Sequence, residues 1–117
     1  MRRYAASELP VRQRQGARLR RLLPESLPGL EIGRIELAAG ARLVGVPHTP
    51  GTREYLTCES GHMELAVAGE RWQLTPGDVL VFRGDQRHGY HNLDARRTAV
   101  AISVVCFAPA DEGARGR

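Results

Sequence analysis

The sequence contains no lysine: all seventeen basic residues are arginine, which reads as coding bias rather than as a function. No apolar run approaches the ~20 residues that a membrane-spanning helix needs, so no span is expected. Met1-Arg2-Arg3 is not followed by an apolar stretch, so no secretory signal is expected and the chain is placed in the cytoplasm. Two cysteines, Cys58 and Cys106, are too few to staple a scaffold; both sit in apolar strand contexts, where a thiol behaves as a small core residue. A long helical pattern is also missing, which excludes helical bundles.

What remains is a chain of 117 residues with 42% apolar content and thirteen glycines, enough for one domain with a single moderate core. The charge is unevenly spread. Residues 1–23 carry seven arginines against one acid, Glu8; residues 24–117 carry ten arginines against twelve acids. The basic balance therefore belongs to the leading segment. Beyond Tyr4 that segment has no interleaved aromatics, and it matches no groove-reading motif, so it reads as a solvated arm or linker rather than a nucleic-acid surface.

Punctuation by Pro and Gly divides the chain into residues 1–29, a partly ordered basic arm or linker; 30–108, the folded domain; and 109–117, a flexible tail of small and charged residues. Within the arm, Val11 to Leu23 is compatible with a short helix, which Gly16 weakens, or with an edge strand. Past Gly29 the period is two. Leu30 to Leu37, Leu43 to Val46, Glu54 to Cys58, Met63 to Val67, Trp72 to Leu74, Val79 to Phe82 and His88 to Asn92 each read as a short strand. Ala99 to Phe107 is almost wholly apolar, as in a strand covered on both sides. Eight or so short strands between Gly/Pro turns predict an all-β sandwich or barrel, whose closure also removes exposed edges.

Two half-sites stand out. His48 and Glu54 lie upstream; His88 and Asn92 follow the turn Thr75-Pro76-Gly77-Asp78. Two imidazoles and a carboxylate from separate strands meet only if the chain folds back on itself. Such a set is one that divalent Fe, Mn, Ni or Zn accepts. Tyr90, Asn92, Trp72 and Cys58 are candidate ligand-binding residues of the same pocket; the two aromatics and Cys58 are equally compatible with core filling. His91 should point away from His88 by alternation, and His62 follows a glycine in a turn, so neither replaces a ligand. Arg53 and Arg87 adjoin the half-sites but alternate outward. The tripeptide Arg83-Gly84-Asp85 is explained by a turn's backbone need.

The stretch from His48 through Glu54, followed by six residues and Gly61, resembles the first motif of the cupin superfamily. Gly77 through His88 and Asn92 resembles the second, and the short interval from Gly61 to Gly77 is similar to that of small single-domain cupins. The likeness spans roughly residues 30 to 107. It implies a double-stranded β-helix, the jelly-roll barrel, with His48, Glu54 and His88 as metal ligands. Two departures matter. Pro50 stands where the first motif has a second histidine, and Arg83 and Asp85 stand where the second has Pro and Gly. The first removes a ligand; the second alters a turn.

The spelling His48-Thr-Pro-Gly-Thr-Arg-Glu-Tyr-Leu-Thr57, with a later His-Gly-Tyr-His-Asn strand, is more narrowly similar to the C-terminal sensor domain of Xre-type helix-turn-helix regulators. That resemblance implies a small-molecule effector as partner and contact with DNA only through a separate helix-turn-helix domain. Residues 1–29 are too few and too proline-rich to supply one. Three functions follow as expectations: an effector-binding sensor, a metal-dependent oxygenase or isomerase using the His/Glu/His set, and a purely structural module. A homodimer is expected, with Val100 to Phe107 and residues 11–23 as contact elements.

Overall fold

In the computed structural model, which describes residues 1–108, ten strands form two antiparallel sheets. The strands are β1 (Val11–Arg14), β2 (Ala17–Arg21), β3 (Leu30–Leu37), β4 (Arg42–Val44), β5 (Arg53–Ser60), β6 (Met63–Val67), β7 (Glu70–Leu74), β8 (Val79–Arg83), β9 (His88–His91) and β10 (Ala99–Cys106). One sheet runs β1-β2-β3-β10-β5-β8, the other β4-β9-β6-β7. From β3 onward the chain alternates between the sheets, apart from the β6–β7 hairpin within one of them. That alternation is a jelly roll: the strand pattern predicted an all-β sandwich or barrel, and the cupin resemblance implied this architecture. The expected tail lies outside the described residues.

The leading segment resolves as strand, not helix. Val11–Arg14 and Ala17–Arg21 pair as a hairpin, and β2 continues onto β3 from Ala17↔Leu37 to Arg21↔Gly33. The residue that counts against a helix makes the turn. Gln15 (φ 48°) and Gly16 (φ 83°) form a two-residue loop with both φ positive, the geometry matched to strand twist. Much of the basic segment is therefore part of the larger sheet. Ala68 (φ 52°) and Gly69 (φ 78°) turn β6 into β7 in the same way.

Alternation builds the core. Glu54, Leu56 and Cys58 of β5 point inward, as do Ile35 and Leu37 of β3, Ala101, Ser103 and Val105 of β10, and Met63 and Leu65 of β6. Strand β10 is apolar because it is central, yet only its inner face is fully covered: Ile102, Val104 and Cys106 on the outer face are half-buried. The expectation of a strand covered on both sides is thus met on one. At the β8 edge, Val79 and Val81 are exposed beside Tyr55.

Candidate ligand site

Three strands from both sheets deliver the polar group at the centre of the sandwich. Glu54 enters from β5 and is 1% exposed. Tyr90, on β9 of the opposite sheet, donates its hydroxyl to Oε2 of Glu54 at 2.5 Å. Ser103, on β10, donates to the same oxygen at 3.0 Å. The other carboxylate oxygen, Oε1, lies 3.8 Å from Nε2 of His88, also on β9. Period-two spacing puts His88 and Tyr90 on one face, and the pairings Val67↔His88 and Leu65↔Tyr90 turn that face inward.

The orientation of His88 is set from behind. Its Nδ1 donates to the carbonyl oxygen of Gln86 at 2.8 Å, which fixes the ring so that Nε2 faces Glu54. Phe82 and Tyr90 flank the ring, with centroids at 5.3 and 5.6 Å. Gly45 closes the remaining side: a Cβ built there would collide with the His88 ring. Gly45 is needed for that close approach, and its amide donates to the His88 carbonyl at 2.9 Å.

Burial pushes the Tyr90 hydroxyl well above the ordinary tyrosine range, and the charge of Glu54 and their hydrogen bond act in the same direction. Tyr90 is thereby kept as a donor. Burial, then the nearby Asp78 charge, also raises the Cys58 thiol. That residue is 1% exposed, with Sγ 3.5 Å from the carbonyls of Ser60 and Gly61.

Of the residues named from the sequence, the structure joins Glu54, His88 and Tyr90. His48 stands beside the group rather than in it. Its ring centroid is 6.3 Å from that of His88, and it packs edge-on against Phe107 at 5.3 Å. Among the described residues, no group of three His, Cys, Asp or Glu is arranged to hold a metal ion. The expected His48/Glu54/His88 set is thus not drawn together as a chelate among the described residues. Oε2 of Glu54 accepts two hydroxyls while Oε1 faces His88, and the His48 ring packs edge-on against Phe107.

Asn92 is fully buried but committed elsewhere. Its Nδ2 faces the carbonyls of Leu37, Ala38 and Arg97 at 3.1, 3.2 and 2.7 Å, and its Oδ1 accepts from the amide of Asp94. It pins the β9–β10 loop to the end of β3 and does not face the Glu54 group. Trp72 is 46% exposed on the edge strand β7, so it does not wall the site. His91 turns away from His88, to within 3.9 Å of Glu64, and Arg53 and Arg87 are exposed, as alternation required.

Sequence reasoning missed Ser103 and Gly45. Ser103 had a signal, since it is the polar residue inside the apolar run Ala99–Phe107. Gly45 had none, because the need for it arises only when β9 is laid beside β4.

A cavity of about 470 Å³ opens beside the group and has Ser103 in its wall. Its lining also includes Arg12, Leu19, Arg21, Gly33, Ile35 and Val105. It lies between the hairpin β1–β2 and the barrel, within the size range of small-ligand sites.

Residues 33–105 match the family model described as Cupin domain. No curated protein sequence matches the chain. Among solved structures, the Cupin_2 domain of an XRE family transcriptional regulator from Enterobacter cloacae is 28% identical. It superposes with a TM-score of 0.75, with 81% of this chain and 100% of that one covered. An HTH_3 family transcriptional regulator from Vibrio cholerae is 27% identical (TM-score 0.73), with 80% of this chain and 52% of the regulator covered, so the chain spans about half of that protein's length. A cupin described as a sugar phosphate isomerase, from Silicibacter pomeroyi, is 22% identical with a TM-score of 0.66, and shares the fold.

Proposed function

We propose, from the premise that the chain belongs to the cupin family, that it is a small-molecule effector-binding domain with a regulatory role. The observation that carries this reading is the Glu54 group. A carboxylate is buried in the core, held by hydroxyls from both sheets, and adjoins a cavity through Ser103. A buried carboxylate is costly unless partnered, so its retention is best explained by use. A ligand that takes the Ser103 hydroxyl changes what Glu54 holds, and Glu54 ties β5 to β9 across the sandwich. Binding therefore biases how the two sheets sit on one another, which is what a sensor needs. The likeness to the regulator domain from Enterobacter cloacae supports the regulatory part. DNA contact belongs to a separate helix-turn-helix domain.

The test is ligand-dependent thermal stabilisation across amino acids, organic acids, amines and sugars, run on the wild type and on Glu54→Gln. A Tm rise in the wild type that shrinks in Glu54→Gln is expected. A flat response across the panel sinks the reading. Metal analysis of protein purified without chelators separates it from a metal-dependent oxygenase or isomerase. Stoichiometric metal that disappears in His88→Ala favours the enzyme.

The proposal includes a cytoplasmic homodimer. Val81, Tyr55, Val104 and Ile32 align as one cross-strand row on the outer face of the larger sheet, with Val79 beside it. Tyr55, Val79 and Val81 are exposed, so the dimer contact is assigned to this face. Light scattering should give a dimer for the wild type and a monomer for Val81→Glu; a wild-type monomer at high concentration refutes the assignment.

A further inference from the structure

Gly33 sits in the middle of β3, on its inner face, in line with Arg21 on one neighbouring strand and Ser103 on the other. Its φ is not positive, so the backbone does not require glycine. Packing does not require it either: the nearest atom to a Cβ built there is the Arg20 carbonyl oxygen, at 3.7 Å. A glycine inside a strand weakens it, and its usual reasons are a bulge or a close approach. Neither applies here. What the missing side chain does is open the wall of the 470 Å³ cavity.

The gap has two different ends. On one side are Arg21 and, from β1, Arg12, whose register partner Leu19 faces the same interior. On the other is Ser103, hydrogen-bonded to Glu54. Leu19, Ile35 and Val105 make the apolar walls between them. Among the described residues, Glu31 is the one acid in the lining. Two strand spacings separate β2 from β10, about 10 Å, the length of a small organic molecule.

We propose that this gap seats a small organic anion bearing a hydroxyl or amine. Its carboxylate or phosphate is held by Arg21 and Arg12, and its polar end reaches Ser103. This rests on the effector-binding reading above and names the ligand class for it. Guanidinium groups suit both anions through paired N–H donors. The hydroxyl or amine end completes the link to Glu54 through Ser103, so anion capture at the hairpin is read out in the core.

The experiment measures Tm with L-malate, L-glutamate and citrate as carboxylates, glycerol 3-phosphate as a phosphate monoester, and glycerol as the uncharged control. The proteins are the wild type, Arg12→Gln/Arg21→Gln and Gly33→Val. A rise of about 5 °C with at least one anion, and none with glycerol, is expected for the wild type. Which anion acts distinguishes carboxylate from phosphate. Gly33→Val should fold with an unchanged or higher Tm and lose the response, because its side chain fills the gap. The arginine double variant should bind about tenfold or more weakly. The proposal is overturned if no anion acts, if glycerol acts equally, or if the response survives either variant. A neutral ligand that stabilises the wild type but not Glu54→Gln would overturn the anion class and leave the effector-binding reading standing. Silence from every ligand, charged or neutral, would remove both.

Discussion

Replacing Tyr90 with Phe removes one oxygen and leaves the ring. The ring is 5% exposed and packs edge-on to His88, so its burial is retained. What is lost is the 2.5 Å hydrogen bond to Oε2 of Glu54. Hydrogen bonds to charged groups contribute about 1.5–3 kcal/mol, and the acceptor stays buried with Ser103 as its remaining hydroxyl donor. A loss of about 2 kcal/mol is therefore expected, or roughly 8 °C in Tm for a domain of this length. Urea titration at constant m-value measures it. A double-mutant cycle makes the test specific. In a Glu54→Gln background the charge that strengthens the bond is gone, so Tyr90→Phe should cost about half as much or less. If Tyr90→Phe costs under about 0.5 kcal/mol, or costs the same in both backgrounds, the Glu54–Tyr90 bond does not hold the sheets together and the sensing argument fails.

Gly45→Ala should lose about 2 kcal/mol through the clash with His88, and adding His88→Ala should recover part of that loss in urea melts. Asn92→Ala strips the donor from the Leu37, Ala38 and Arg97 carbonyls and should cost about 3 kcal/mol by the same assay, with no change in ligand response. Alkali should unfold the protein. The folded pKa of Tyr90 lies above that of the unfolded chain, so its stabilising effect is complete below about pH 10 and declines as pH rises beyond that. Cys58 shifts in the same direction, so its decline begins lower. Ultraviolet titration should show one of the three tyrosines resisting ionisation until unfolding, and Tyr90→Phe should abolish that delayed step.

Within the site, Glu54 and His88 were legible because motif spacing and strand parity are local properties. Glu54 shares a face with Leu56, and His88 with Tyr90, whatever the rest of the chain does. His48 was less legible for a related reason. It lies in a loop between β4 and β5, where parity says nothing about direction, and an aromatic contact with Phe107 sets its ring. Asn92 shows the limit of a matched position: the motif located the residue, but its amide serves the carbonyls of Leu37, Ala38 and Arg97. Trp72 alternates inward with its partner Leu65, yet β7 is an edge strand, so the inner face there is open.

By itself, the sequence determined the all-β class, the approximate positions of the strands from β3 onward and which residues of each share a face. Those depend on two-residue periodicity and on Gly/Pro turns, which act over a few residues. Tertiary structure alone decided that Ser103 and Tyr90 share one Glu54 oxygen, that Gly45 makes room for His88, and that Gly33 opens a cavity between two arginines and Ser103. The reason is that β10 pairs with both β3 and β5, while β9 lies in the opposite sheet. Contacts between strands so far apart in the chain are set by sheet order and register, which no local pattern encodes.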